Sequence, residues 1–435
     1  MFTKQSILGF LSMALSLLIL MPGSALASEV AAIDKADTAW MMVSSLLVIM
    51  MTVPGLAMFY SGLVRREGML AITMQVFSAC AIVSVLWVFV GYSITFTDGN
   101  GFIGGLDKVM LAGVDINSIK GSIPENVFIL FQMAFAIITP ALIVGAFADR
   151  MKFSAVLLFT AIWSLVVYAP VCHQVWGGGN LGEMGVLDFA GGTVIHVNAG
   201  IAGLVAALVL GPRKGYQPKG SNEQFAPTNL LICMLGVGLL WVGWFGFNAG
   251  SALTSGASAA NAMLTTQVAA AASALSWMLV EWARSGKPSS MGFGCGVVSG
   301  LVAITPAAGF VDPMGAVALG AIAGVVCYFG STSLKQALGY DDSLDVVGVH
   351  GIGGLIGAIL TGVFAVEAIG GTPGLIEGNA QQVWIQAVGL VQTILWSGIA
   401  TYVILKIVDI LVGLRVPAEV EVEGLDKHLH GESIR

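Results

Sequence analysis

The chain has 435 residues, of which 57% are hydrophobic and only 10% charged, and its mean hydropathy is +0.90. Soluble domains carry about 25% charged residues, so this deficit, together with long apolar runs, excludes a water-soluble globular protein and predicts many membrane-spanning helices. The net charge of −7 says little by itself; what matters is where the charges fall along the chain.

The first segment has a basic Lys4, an apolar stretch from Ile7 to Met21 and then Ala25-Leu26-Ala27. That pattern predicts a signal peptide over 1–27, cut before Ser28; a true first transmembrane helix is the competing reading. A membrane domain is then expected over 28–413. Its eleven apolar segments lie near 38–63, 69–96, 124–147, 153–172, 191–211, 227–251, 259–283, 291–308, 314–335, 346–366 and 382–413. Glycine, at 57 residues, is threaded through them and lets helix backbones approach closely.

Alternate loops collect Arg65, Arg66, Arg150, Lys152, Arg213, Lys214, Lys219, Arg284, Lys287 and Lys335. Lys406, Arg415, Lys427 and Arg435 follow on the same side, whereas the other side holds Lys35, Lys108 and Lys120. Basic residues mark cytoplasmic loops. An inner-membrane protein is therefore expected, with its mature N-terminus in the periplasm and a polar tail, 414–435, in the cytoplasm. Cys80, Cys172, Cys233, Cys295 and Cys327 show no metal-ligand spacing and are expected to be small core residues without a structural disulfide.

Three markers recur in order. Phe59-Tyr60-Ser61-Gly62 is echoed by Phe247-Asn248-Ala249-Gly250, and Ile138-Thr139-Pro140-Ala141 by Ile304-Thr305-Pro306-Ala307. His196 with Gly200 and Gly203 is echoed by His350 with Gly354 and Gly357. The copies, near 38–211 and 227–366, begin an odd number of spans apart, so they form an inverted five-plus-five repeat with 382–413 outside it. Such folds place the permeation site between the halves, near the midplane.

Several residues in these spans need a reason. His196 and His350 are ionisable groups in apolar helices. They are either separate histidines bonded to backbone carbonyls or a pair of imidazoles lining one pore. Asp188 opens the fifth span, where a carboxylate caps the helix and can also orient a site; Asp345 is expected to open the tenth in a similar way. Phe131 and Phe135 share one helix face, as packing or as a ring surface. Trp176 is either an interfacial anchor or a ligand contact. Trp244, Phe247 and Ser251 gather near one end of the sixth span, where ring faces and a hydroxyl suit a cation.

The stretches PGLAMFYSGL, FQMAF, HQVWGGG, DFAGGTVIH, GWFGFNAGS, DVVGVHG and EGLDKHLHGE are together similar to those of the ammonium transporter (Amt/Rh) family, bacterial Amt type. The resemblance runs from about residue 36 to the C-terminus. It implies an all-α membrane protein of eleven helices, a homotrimer with one pore per subunit, and uptake of ammonium, ammonia and methylammonium across the lipid bilayer. It implies that Trp176, Phe131 and Ser251 recruit ammonium, with Asp188 the carboxylate beside that site. Phe135 and Phe247 would gate the pore, and His196 and His350 would line it. Tyr60, Trp244, Ile138 and Thr305 match supporting positions. It also implies a regulatory PII-type partner on the cytoplasmic face, met by a tail held through Gly424, Asp426 and His430. No enzymatic activity, cofactor, metal or nucleic-acid partner is expected. Pro140 departs from the family pattern and frees a backbone carbonyl just below Phe135. Two rivals stand beside transport: an ammonium sensor, and a membrane cytochrome with the two histidines on haem iron.

Overall fold

The computed structural model describes residues 33–220 and 222–434; the segment expected to be a signal peptide lies outside the described residues. Among the described residues, ten helices are long and apolar enough to cross a membrane. They are α1 (Lys35–Leu63), α2 (Arg66–Phe96), α3 (Glu125–Phe147), α4 (Phe153–Glu183), α5 (Gly192–Leu210), α6 (Leu230–Gly250), α7 (Ala257–Ser285), α9 (Pro313–Leu338), α10 (Val347–Phe364) and α11 (Ala380–Val412). The remaining expected segment forms the shorter α8 (Ser290–Ile304). At 1.5 Å per residue it is roughly 22 Å long, less than the ~30 Å hydrocarbon thickness. It ends at Ile304, two residues before Pro306. The order is consistent with the expected eleven segments.

Helices α1–α5 and α6–α10 carry the two copies read from the sequence, and α11 packs against α4, α5 and α10. Matching details recur in the two halves. Thr139 Oγ1 donates to Phe135 O in α3, and Thr305 Oγ1 donates to Leu301 O after α8, both at 2.7 Å. Helix α3 runs through Pro140 as α-helix to Ile143 and then tightens to a 3₁₀ turn, so the proline does not break it.

The centre of the molecule is the crossing of α5 and α10. A Cβ added at Gly200 would lie 2.2 Å from Gly351 Cα, and one at Gly354 would lie 2.9 Å from Val197 N. Only backbone fits there, so the two helices touch without intervening side chains. That contact sets how close residues 196 and 350 can come.

At the arginine-rich end, charges are buried and therefore paired. Arg213 donates to both carboxylate oxygens of Asp341 at 2.8 and 2.9 Å, and Arg150 donates to Asp341 O at 2.6 Å. Burial pushes the Asp341 carboxyl up, but the Arg213 guanidinium outweighs it and holds the group below the usual carboxylate range. The tail docks beside this cluster. Arg415 pairs with Glu421 at 2.7 Å. Asp426 accepts from the amides of Leu70 and Ala71, near the start of α2, at 3.1 and 2.7 Å. Gly424 has φ +105°, and a Cβ there would meet Glu67 Cβ at 2.2 Å. The His430 ring stands edge-on to Phe153 at 4.9 Å. All three tail residues named from the sequence therefore touch the bundle.

Candidate functional site

The loop between α4 and α5 builds the outer part of the site. Asp188 is buried, and its carboxylate spans the open end of α5. Oδ1 accepts from Gly191 and Gly192 at 2.9 and 2.6 Å, and Oδ2 from Thr193 and Val194 at 2.9 and 3.0 Å. Four orphan helix amides are thus satisfied by one side chain. Desolvation pushes this carboxyl up, to about 6, against the pull of those four amides. Trp176, at the end of α4, donates its indole N–H to the backbone oxygen of Asp188 at 2.8 Å. The tryptophan is anchored by the same residue that caps the helix.

Beside Trp176 lies a chamber of about 340 Å³, lined by Phe96, Phe128, Gln132, Phe135, Val175, Trp176, Phe189, Ser251 and Leu253. The Ser251 hydroxyl donates to Phe247 O at 2.9 Å. Phe131 and Asp188 are not on this wall. Phe131 is fully buried, edge-on to Phe135 with centroids 4.7 Å apart. The Asp188 carboxylate is occupied by the α5 amides.

From the chamber a column of rings leads inward. Phe135 lies 5.9 Å from Trp176 and 4.4 Å from Phe247. Phe247 lies 6.0 Å from His196, which stacks on His350 at 5.3 Å with 14° between the planes. The two Nδ1 atoms are 3.2 Å apart. Trp244 stacks on His196, 5.4 Å away at 18°, and donates its N–H to Thr305 Oγ1 at 2.9 Å. Ile138 is buried on α3, one turn beyond Phe135. Tyr60 is buried and donates to Leu142 O at 2.9 Å, further along α3.

The fold therefore brings Trp176, Phe135, Phe247, His196 and His350 into one continuous line of ring contacts, with Trp244 and Thr305 supporting it. The direct nitrogen contact of the histidines leaves no room between them for iron and a porphyrin, which removes the haem reading.

One expectation is corrected. Asp345 does not repeat the role of Asp188; it pairs with Lys335 at 2.8 Å. The counterpart is Asp342, whose Oδ2 accepts from Val347 N, at the start of α10, at 2.7 Å. Its sequence signal was present: Asp188 and Asp342 each stand eight residues before their histidine. Reading from sequence also passed over the chamber residues Phe96, Phe128, Gln132 and Phe189. Gln132 had a signal of its own, an amide in an apolar helix flanked by Phe131 and Phe135.

Comparison with known proteins accords with this geometry. The Ammonium Transporter Family model matches residues 39–434. The chain is 52% identical over 428 residues to an ammonium transporter of Aquifex aeolicus, covering 98% of each chain. It is 48% identical to one of Bacillus subtilis, covering 92% of this chain and 98% of that one. Among solved structures, Candida albicans Mep2 superposes with a TM-score of 0.84 at 35% identity, covering 89% of this chain and 87% of that one. A sensor Amt protein superposes with a TM-score of 0.85 at 28% identity, covering 91% and 98%. With the family matched along almost the whole chain, over a fold of apolar helices that converge on paired histidines, this protein belongs to the ammonium transporter family, a family of multi-pass membrane transporters rather than enzymes.

Proposed function

We propose that this chain takes up ammonium across the inner membrane through one pore per subunit of a homotrimer. The chamber faces the periplasm and the arginine-rich end faces the cytoplasm. Ammonium is recruited in the chamber at Trp176, Ser251 and Phe135, with Phe131 edge-on behind Phe135, is deprotonated, and crosses as ammonia past the Phe135–Phe247 gate and along His196 and His350. Methylammonium follows the same route.

The observation that carries this reading is the unbroken chain of ring contacts from Trp176 through Phe135 and Phe247, edge-on, to the histidine pair. A bare cation cannot enter so apolar a passage unless its lost hydration is replaced. Ring faces contribute up to about 2 kcal/mol when desolvated, enough to concentrate a cation at the mouth but far short of carrying it across. Ammonium, unlike potassium, can leave its proton behind, and neutral ammonia crosses apolar surroundings cheaply. Asp188 holds the chamber in shape through Trp176 rather than facing the ion.

The test is a current measurement on reconstituted protein during an ammonium pulse, with uptake of labelled methylammonium alongside. Transport of either kind is the expected result; neither current nor uptake from correctly inserted protein would sink the reading. Sensing is the second reading, favoured by the likeness to a sensor Amt protein. Binding of methylammonium without uptake is the outcome that selects it.

The docked tail supports a further element of the proposal: a PII-type signalling protein binds the cytoplasmic face when nitrogen is plentiful and blocks the pores. Asp426 on the α2 amides and Gly424 against Glu67 tie the tail to the first turns of α2. Truncation after Arg415 is expected to leave a trimer with reduced transport and weakened PII binding. Pull-downs with the host's PII protein, with and without the tail, check this; no binding to either form under any nucleotide condition refutes it.

A further inference from the structure

The chamber beside Trp176 is mostly aromatic and aliphatic, and ring faces attract small cations with little regard to their shape. Two side chains on its wall offer oxygen instead. Ser251 gives its proton to Phe247 O, so what remains for the chamber is its lone pairs. Gln132 is the other. It lies on α3 between Phe131 and Phe135, is 7% exposed, and its Oε1 is buried without a hydrogen-bond partner among the described residues.

A carbonyl oxygen buried without a partner costs stability, and an apolar side chain of the same reach would fill this position without that cost. No protein bond fixes Oε1, so a half-turn about the last torsion can bring it to the chamber without breaking one. Four N–H bonds in tetrahedral array need acceptors in particular directions; a spherical cation does not. A neutral amide also suits a pathway better than a carboxylate, because an ion must bind well enough to enter and weakly enough to leave.

We infer that Gln132 is an ammonium ligand that sets selectivity: its carbonyl oxygen and Ser251 Oγ accept N–H bonds from the ion in the chamber and so favour ammonium over potassium. This rests on the ammonium pathway proposed above and assigns its discrimination to one side chain.

The experiment compares full-length wild type, Gln132→Met and Gln132→Glu in proteoliposomes, reading ammonium-evoked current with and without potassium. Loss of one hydrogen bond to a charged group predicts a half-saturating ammonium concentration about tenfold higher in Gln132→Met, with potassium becoming an effective competitor. Gln132→Glu is expected to lower half-saturation while admitting potassium as a competitor too, because a full negative charge holds either cation. Wild-type half-saturation and wild-type potassium insensitivity in both variants overturn the inference and leave the pathway standing. If Gln132→Met does not assemble, Gln132→Glu decides alone, and unchanged behaviour in it overturns the inference. A wild-type protein without ammonium current overturns both.

Discussion

Replacing either His196 or His350 by alanine is expected to abolish or strongly alter ammonium transport while the protein still assembles. Their Nδ1 atoms are 3.2 Å apart, and a hydrogen bond needs one donor and one acceptor. At least one ring is therefore unprotonated at that nitrogen. In a neutral pair the ring that donates from Nδ1 has a bare Nε2, and the ring that accepts carries its proton on Nε2. The pore thus meets one acceptor and one donor in succession, and His196 Nε2 has no other protein partner among the described residues. Ammonia, with three N–H donors and one lone pair, can use both.

Alanine at either position removes one group and frees the tautomer of the other. A polar solute crossing a dry site without its hydrogen bond loses about 1–3 kcal/mol, which corresponds to a rate roughly 5- to 150-fold lower. Because the rings act as a unit, the double variant is expected to transport about as poorly as the worse single variant. The measurement is methylammonium uptake and ammonium-evoked current in all three variants. Wild-type values in both single variants remove the paired-histidine mechanism.

Much of this was legible in the sequence because membrane folds write their rules in one dimension. Apolar run lengths marked the helices, and a repeated His-x₃-Gly-x₂-Gly pattern marked the crossing where only backbone fits. What period and spacing could not give was contact. Nothing in the order of residues states that residues 196 and 350 meet nitrogen to nitrogen; that follows from the approach of Gly200 to Gly351, a property of two helices together. The tenth helix shows a different limit. Asp345 lay nearer the apolar run and was the natural candidate for its cap, yet the loop turns through it at φ +58°, and the earlier Asp342 reaches the amides. Gln132 was hidden by its neighbours: FQMAF draws attention to its phenylalanines, and which of its residues lines a cavity depends on helices α2, α4 and α6.

Asp188→Ala is the second change with a large expected effect, and it acts through structure rather than through the ion. The carboxylate accepts from the amide of Gly191 and from three amides in the first turn of α5, and alanine offers none of these bonds. Hydrogen bonds to a charged group contribute about 1.5–3 kcal/mol each, but a relaxed loop recovers part of that, so a loss of about 3–5 kcal/mol is expected for the folded protein. Transport should fall further than stability suggests. The backbone oxygen of residue 188 holds the Trp176 indole at 2.8 Å, and a loop released from α5 carries that oxygen away, opening the chamber wall above Phe135. Asparagine is expected to rescue poorly: its one oxygen can replace Oδ1 or Oδ2 but not both, and its NH₂ then faces two amide N–H groups. Thermal unfolding in detergent and ammonium-evoked current in proteoliposomes separate the two effects. A lower unfolding midpoint with wild-type current in Asp188→Ala would show that the cap stabilises α5 without positioning Trp176. A wild-type midpoint with no current would mean instead that the carboxylate acts on the ion itself.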